Sequence, residues 1–119
     1  MAHYVDGYVI PLPKKNVTVY RRGARKAGQI WRDHGALEFR ECVGDDLNIK
    51  MGLPFPRGIK IKHGETVIFS YIVFKSRAHR DRVNARVMKD PRLVKMMDHP
   101  MPFDVKRMLY GGFTTIVEA

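Results

Sequence analysis

Three residues suited to acid–base chemistry lie at the margins of apolar segments. His79 falls in the predicted first turn of a helix, where the helix dipole disfavours a protonated imidazole and so favours a neutral base. Arg80 follows it directly, and Asp6 interrupts an otherwise aromatic face of the first predicted strand. His79, Arg80 and Asp6 are therefore the candidate catalytic residues. The competing interpretation is structural, with Asp6 at a wet sheet edge.

Further polar side chains could bind a small ligand. Arg80 and Asn84 lie within the apolar sector of a weakly amphipathic helix, so they either reach an internal acidic or amide partner or lie at its edge, the arginine extending to water. Asp104 and Arg107 flank the last strand, where they could equally form a structural ion pair. The candidate ligand-binding residues are Asn84, Asp104, Arg107, Tyr110 and Tyr71.

The sequence predicts no metal and no cofactor. The five histidines show no metal-ligand spacing, and neither a glycine-rich phosphate loop nor a Ser-His-Asp order is present. Cys42, the single cysteine, excludes an internal disulfide and indicates a reducing compartment. No signal-peptide pattern opens the chain and no apolar run approaches ~18 residues, so we expect a cytoplasmic protein without membrane contact.

The most regular stretch of the chain is a strand that leads directly into a helix. Val67 to Phe74 is apolar on both faces, which predicts a strand covered on both sides. Ser76 is a good N-cap for a helix that continues to about Lys89. The other predicted elements are strands over Tyr4–Ile10, Leu37–Val43 and Val105–Val117, a helix capped by Asn16 and ended by His34 and Gly35, and a helical turn over Arg92–Asp98.

Several breaks in the pattern carry predictions of their own. Pro11 and Pro13 are expected to end the first strand. Gly111-Gly112 predicts a bulge, or a close approach of another backbone or a ligand, within the last strand. The long connection from Gly44 to Glu65, with a possible short strand at Ile59 and Ile61, is of a kind that tends to be functional or to contact a partner.

The order of these elements predicts a single α+β domain over residues 1–119. Strand, helix, strand, strand, helix, strand is the ferredoxin-like βαββαβ arrangement, a four-stranded antiparallel sheet with both helices on one face. The opposite face would then be bare although it is apolar, and such a patch requires a cover. One cover is a second copy of the sheet, which makes the protein a homodimer.

A family resemblance supports that cover. The segments YVDGYVIPLPKKN, HGALEFRECVGDD, FKSRAHRDRVNARVMKDPR and, most distinctively, MPFDVKRMLYGGF resemble the YbaA-like family of small uncharacterised bacterial proteins, within the dimeric α+β barrel superfamily. The resemblance implies a homodimeric barrel with a cavity between each sheet and its helices. It implies no established activity. Relatives in the superfamily include cofactor-independent monooxygenases, so oxygenase or isomerase-type chemistry is one expectation.

The alternative cover is RNA. Phe69 to Phe74 matches most of the RNP1 pattern of RNA-recognition motifs, although the leading basic residue and glycine are missing. The net charge of +10 also favours a polyanion as a partner. The segments 14–34 and 75–95 each carry +6 and the remainder −2, so the positive charge lies on the helices, opposite the face that RNA would use.

Overall fold

The computed structural model describes residues 2–119 and contains one four-stranded antiparallel sheet. Its strand order is β2-β3-β1-β4. The strands are β1 (Tyr4–Pro13), β2 (Glu38–Val43), β3 (Glu65–Phe74) and β4 (Leu109–Thr114). The helices are α1 (Val17–Asp33), α2 (Phe55–Gly58), α3 (Arg77–Lys89) and α4 (Pro91–Met97), with 3-10 turns at Lys14–Asn16 and Val105–Arg107. The prediction of an α+β protein with a four-stranded antiparallel sheet is confirmed.

The core lies between one sheet face and the two long helices. Ile72 and Phe74 of β3 pack with Ile30 of α1 and with Val83 and Val87 of α3. All five are at most 2% exposed, so this layer contributes most of the apolar burial that stabilises the fold. The helix-side face of the sheet is formed by Tyr4, Asp6, Tyr8, Ile10 and Leu12 of β1 and their cross-strand neighbours.

The helix termini follow local sequence signals. Ser76 caps α3 as predicted, since its hydroxyl accepts from the backbone N–H of His79 at 3.1 Å. Gly35 takes the expected left-handed conformation after α1, with φ of 113°. Asn16 occupies the N-cap position of α1, but its side chain makes no cap and instead donates to the carbonyl of Pro102 at 2.7 Å. A contact between distant segments has replaced the local one.

Prolines did not end the first strand. β1 continues through Pro11 and Pro13, which lie opposite Val67 and Glu65 of β3. In an antiparallel pair only alternate residues donate to a given neighbour. β4 reaches no further along β1 than Val9, so the side on which these prolines lack an N–H has no strand to pair with.

Two other predicted elements differ from the structure. β4 is shorter than the predicted strand, because Asp104 caps a 3-10 turn at Val105–Arg107. Within it, Gly111 and Gly112 pair continuously with β1, so there is no bulge. The connection between β2 and β3 contains the short helix α2, and Ile59 and Ile61 form no strand.

The second face of the sheet is open and apolar. Phe69, Leu109 and Phe113 point to this face and are 46%, 55% and 60% exposed. Together with Val5, Val9 and Tyr71 they form what we term the open face. Phe55 of α2 packs against Phe69, with ring centroids 6.4 Å apart, so the long connection covers one end of it. No helix within residues 2–119 is long and apolar enough to cross a membrane.

Candidate functional site

A buried carboxylate lies at the centre of the helix-side face. Asp6 is in mid-strand on β1, between Ile72 of β3 and Gly112 of β4, and it is completely inaccessible to solvent. Buried carboxylates are rare unless they are paired or bound to a partner. Asp6 is therefore at no wet edge, and its surroundings define the candidate site.

Two residues of α3 supply the partners of Asp6. The Nδ2 of Asn84 donates to Oδ2 of Asp6 at 3.3 Å, and Oδ1 of Asn84 accepts from the indole N–H of Trp31 at 3.0 Å. The Nη1 of Arg80 lies 3.8 Å from Oδ1 of Asp6. The sequence left open whether Arg80 and Asn84 reach an internal partner or lie at the edge of the helix. In the structure both reach an internal acidic partner, Asp6.

The guanidinium of Arg80 is also held by an aromatic ring. Its Nη2 donates to the hydroxyl of Tyr4 at 3.2 Å, and its central carbon lies 5.0 Å from the centroid of the same ring. The side chain is 18% exposed, and its Nε forms an ion pair with the exposed Asp81 at 3.2 Å. Arg80 therefore links the buried carboxylate to the surface.

Hydrogen bonding in this cluster is incomplete. Oδ1 of Asp6 is a buried atom without a hydrogen-bond partner among residues 2–119, and the buried Nε of Arg80 has only its ion pair with Asp81, which does not have the geometry of a hydrogen bond. A buried polar atom left unpaired costs ~1–3 kcal/mol, so such atoms need an explanation. One is an acceptor and the other a donor, which suits a polar group that carries both functions.

Burial dominates the electrostatics of the cluster. Desolvation raises the pKa of Asp6 above its ordinary value, and this outweighs the hydrogen bond from Asn84 and the charge of Arg80, which lower it. Desolvation also raises the pKa of Tyr110, and the negative charge of Asp6 raises it further. A carboxylate with a raised pKa is a stronger base than an ordinary aspartate, which suits it to accept a proton from a ligand.

On the β4 side of the site, a glycine makes room for the side chain of Tyr4. Gly112 lies opposite Asp6, and a Cβ at this position would come within 2.4 Å of the hydroxyl oxygen of Tyr4. The group that lies close to Gly112 is thus the Tyr4 side chain, whereas the sequence predicted a bulge or the approach of another backbone or a ligand. Beside it, Tyr110 stacks on Tyr8 at 4.7 Å between ring centroids and is 51% exposed.

His79 lies at the N-terminal end of α3, where its ring is held by local contacts. Its Nδ1 accepts from the backbone N–H of Lys75 at 2.9 Å, and its ring packs edge-on against Phe74. Burial lowers the pKa of this imidazole, and the charge of Lys75 lowers it further. The direction of this pKa shift is the one that the sequence predicted, and the contacts of His79 are those of a side chain that anchors the start of a helix.

Three predicted ligand-binding residues lie elsewhere. Arg107 forms a bidentate ion pair with Glu65 at 2.7 and 2.8 Å, so the alternative of an Asp104–Arg107 ion pair is wrong. Asp104 instead accepts from the backbone N–H of Lys106. Tyr71 points to the open face, away from Asp6, because it is an odd-numbered residue of β3. The structure therefore brings together Asp6, Arg80, Asn84 and Tyr110 from the predicted set.

Sequence reasoning missed two members of the cluster. Tyr4 shares a strand face with Asp6, two residues away, and this spacing could have identified it. Trp31 lies on α1, far from Asn84 in the sequence, and only the crossing of α1 and α3 brings its N–H to that side chain. Within residues 2–119 there is no group of three or more His, Cys, Asp or Glu side chains that could hold a metal ion.

These observations define a small α+β protein with a carboxylate–guanidinium pair buried between its sheet and its third helix. The chain belongs to a family described as protein of unknown function (DUF1428), whose model matches residues 3–105. It is 39% identical over 115 residues to the uncharacterized protein YbaA of Escherichia coli K12, covering 97% of both chains. The same identity and coverage hold for YbaA of Shigella flexneri.

A comparison with solved structures found the de novo designed protein Foldit4. It has a TM-score of 0.45 and 14% sequence identity, over 98% of this chain and 99% of that chain. A likeness of this size carries no argument about fold or function.

Proposed function

We propose that this protein is a homodimeric α+β barrel of ferredoxin-like topology that binds a small polar ligand at Asp6 and Arg80. The Oδ1 of Asp6, which has no hydrogen-bond partner among residues 2–119, carries the proposal of a ligand, and the Nε of Arg80, which forms an ion pair with Asp81 but makes no hydrogen bond, supports it. The topology is supported by the strand order and by the packing of both long helices on one face. We place the protein in the cytoplasm, a reducing compartment that suits the single, unpaired Cys42.

The occupant of the open face is a second copy of the chain. Copies with a net charge of +10 repel each other, but the excess charge lies in the segments 14–34 and 75–95. The charged strand residues on this side of the sheet are Glu38 and Arg40, which pair at 3.1 Å, and Glu65, which pairs with Arg107 at 2.7 Å. An apolar face whose edge charges are paired suits self-association, in which the same patch is used twice. It suits a polyphosphate poorly.

The dimensions of the molecule agree with this pairing. The chain is 20 Å thick and measures 38 by 37 Å across, as expected for one sheet layer and one helix layer. The broad dimension leaves room for the ~800 Å² per partner that a standard interface buries. Exposed Met51 and Leu53 on the long connection extend the apolar surface beyond the strands.

Solution mass across a range of protein concentrations tests the dimer. We expect twice the monomer mass, and we expect Phe113→Lys to shift the protein to monomer because a charge would be buried at the interface. Met97→Lys is the matched control, since Met97 is equally exposed but lies on α4. A wild-type monomer that binds single-stranded RNA, and loses it on Phe69→Ala, would replace the dimer by the RNA interpretation.

The ligand class follows from two buried atoms, Oδ1 of Asp6 and Nε of Arg80, that make no hydrogen bond among residues 2–119. A carbonyl oxygen can accept from Arg80, and a neighbouring hydroxyl or acidic C–H can be presented to Asp6. Isomerases and cofactor-free oxygenases both begin by removing such a proton, and a nearby guanidinium stabilises the resulting oxyanion. We therefore expect hydroxyketones or phenols rather than hydrocarbons.

Trp31 provides a reporter for this ligand, because it is the only tryptophan and its N–H bonds to Asn84. Hydroxyacetone and catechol are suitable probes in a titration followed by the indole N–H resonance. We expect a saturable shift that Asp6→Asn or Arg80→Met abolishes and Arg22→Gln, on the exposed side of α1, leaves unchanged. Equal responses from all four proteins would remove the site.

A further inference from the structure

A second groove runs between α1 and the edge strand β2, at the sheet edge opposite β4. It has a volume of about 500 Å³, within the ~300–1,000 Å³ of small-molecule sites. Its floor is apolar, formed by Phe39, Val43 and Ile68. Val43 is 53% exposed although it points to the helix side of the sheet, because α1 leaves this part of β2 uncovered. The groove is thus a gap in the core layer.

The rim of the groove is cationic. Arg21, Arg25 and Arg32 recur at steps of four and seven residues and line it along one side of α1. Arg32 is engaged, since its guanidinium donates to the carbonyls of Ala36 and Leu37. Arg21 and Arg25 form no ion pair within residues 2–119. Two adjacent guanidinium groups therefore remain available beside an apolar floor.

The acidic residue within the groove does not neutralise them. Glu41 accepts a hydrogen bond from the hydroxyl of Tyr20 at 2.7 Å. Burial raises the pKa of the Glu41 carboxyl, although this hydrogen bond lowers it. The side chain is therefore turned toward Tyr20, and the positive potential of the rim is left for a ligand.

We propose that this groove binds an amphipathic carboxylate, with an acyl chain or flat apolar body on Phe39, Val43 and Ile68 and the carboxylate on Arg21 and Arg25. Planar guanidinium groups match carboxylate geometry through paired hydrogen bonds. The wall from Val17 to Arg32 spans ~22 Å of helix, enough for an extended chain. A second copy of this basic chain is disfavoured here because its charge would repel that of the rim.

Octanoate and octylammonium, which share a chain length and differ in charge, are the probes for calorimetric titration. We expect octanoate to bind and octylammonium not to bind. The affinity for octanoate should be about tenfold lower in Arg25→Gln, because that variant loses one charge-assisted hydrogen bond. Arg22→Gln, on the same helix but outside the groove, is the matched control. Val43→Asp should abolish binding by placing a negative charge on the floor.

Three results would overturn this proposal. They are an equal affinity for both probes, an equal loss in Arg22→Gln and Arg25→Gln, and binding of an acidic amphipathic peptide without any binding of octanoate. The proposal is independent of the Asp6 site, because Asp6 does not line this groove. Asp6→Asn should therefore leave octanoate binding unchanged.

Discussion

The Nη1 of Arg80 and the Oδ1 of Asp6 are 3.8 Å apart, so the two charges attract each other without sharing a hydrogen bond. The carboxylate is fully buried while the arginine side chain retains 18% exposure. The pair therefore places an acceptor without a hydrogen bond inside the protein, next to an arginine side chain that extends toward solvent. This asymmetry is the feature that a ligand could complete.

Asp6→Asn should raise stability most at neutral pH. Burial raises the pKa of Asp6 above its ordinary 3.8, so its contribution to stability is greatest below that pH and is lost as pH rises through the raised value. Asparagine keeps the shape without ionising. In urea unfolding at fixed protein concentration, the stability of the variant relative to wild type should increase from pH 4 to pH 7. A stability difference between Asp6→Asn and wild type that does not change with pH would contradict a raised pKa for Asp6.

Glu65→Gln should have the opposite pH dependence. The bidentate bond from Arg107 lowers the pKa of Glu65 to about 2, so this carboxylate stabilises the fold above its ordinary 4.5 and loses that effect as pH falls toward 2. In denaturant unfolding, the free energy of unfolding of wild type should therefore exceed that of Glu65→Gln at pH 5, and this difference should disappear as the pH falls to 2. Arg107→Lys, which keeps one charge but not the paired geometry, should fall between the two.

Gly112→Ala should destabilise the protein by ~1–3 kcal/mol, the usual cost of overpacking. The added Cβ would lie 2.4 Å from the Tyr4 hydroxyl and within 2.9 Å of two ring atoms, and that ring is held by Arg80. Gly23→Ala is the matched control, because no atom lies within 4 Å of its Cβ position in α1. It should stabilise the protein by up to ~1 kcal/mol. If Gly112→Ala and Gly23→Ala changed the free energy of unfolding equally in denaturant, the Tyr4 side chain would be free to move aside.

Trp31→Phe and Asn84→Leu should be strongly non-additive. Each removes one side of the 3.0 Å hydrogen bond between α1 and α3, and Asn84→Leu also removes a donor to Asp6. A double-mutant cycle in urea should give a coupling of ~0.5–3 kcal/mol. Trp31→Phe combined with the exposed Gln29→Ala should be additive, because Gln29 bonds to Asp33 and shares no hydrogen-bond partner with Trp31. Additivity in both pairs would mean that the amide does not connect the helices.

The elements were predictable where short-range signals decide them. Ser76 caps a helix through a backbone N–H three residues away, and Gly35 ends one through its own φ, so both predictions were confirmed. Pro11 and Pro13 were misjudged because their effect depends on whether a neighbouring strand needs their N–H groups. The site was half predictable, since Asp6, Arg80 and Asn84 are anomalous in apolar patterns, but Trp31 and Tyr4 are ordinary core residues by pattern.

What the sequence by itself determined is the order of the four strands and the two long helices, and the anomaly of a carboxylate in an apolar strand, because periodicity and capping act within a few residues. Only the tertiary structure decided that Asp6 meets Asn84, 78 positions away, and that Arg107 takes Glu65 rather than Asp104. Such pairings follow from strand register and helix crossing, which the whole core sets at once. The chemistry proposed at Asp6 thus rests on a residue type visible in the sequence and on partners that only folding supplies.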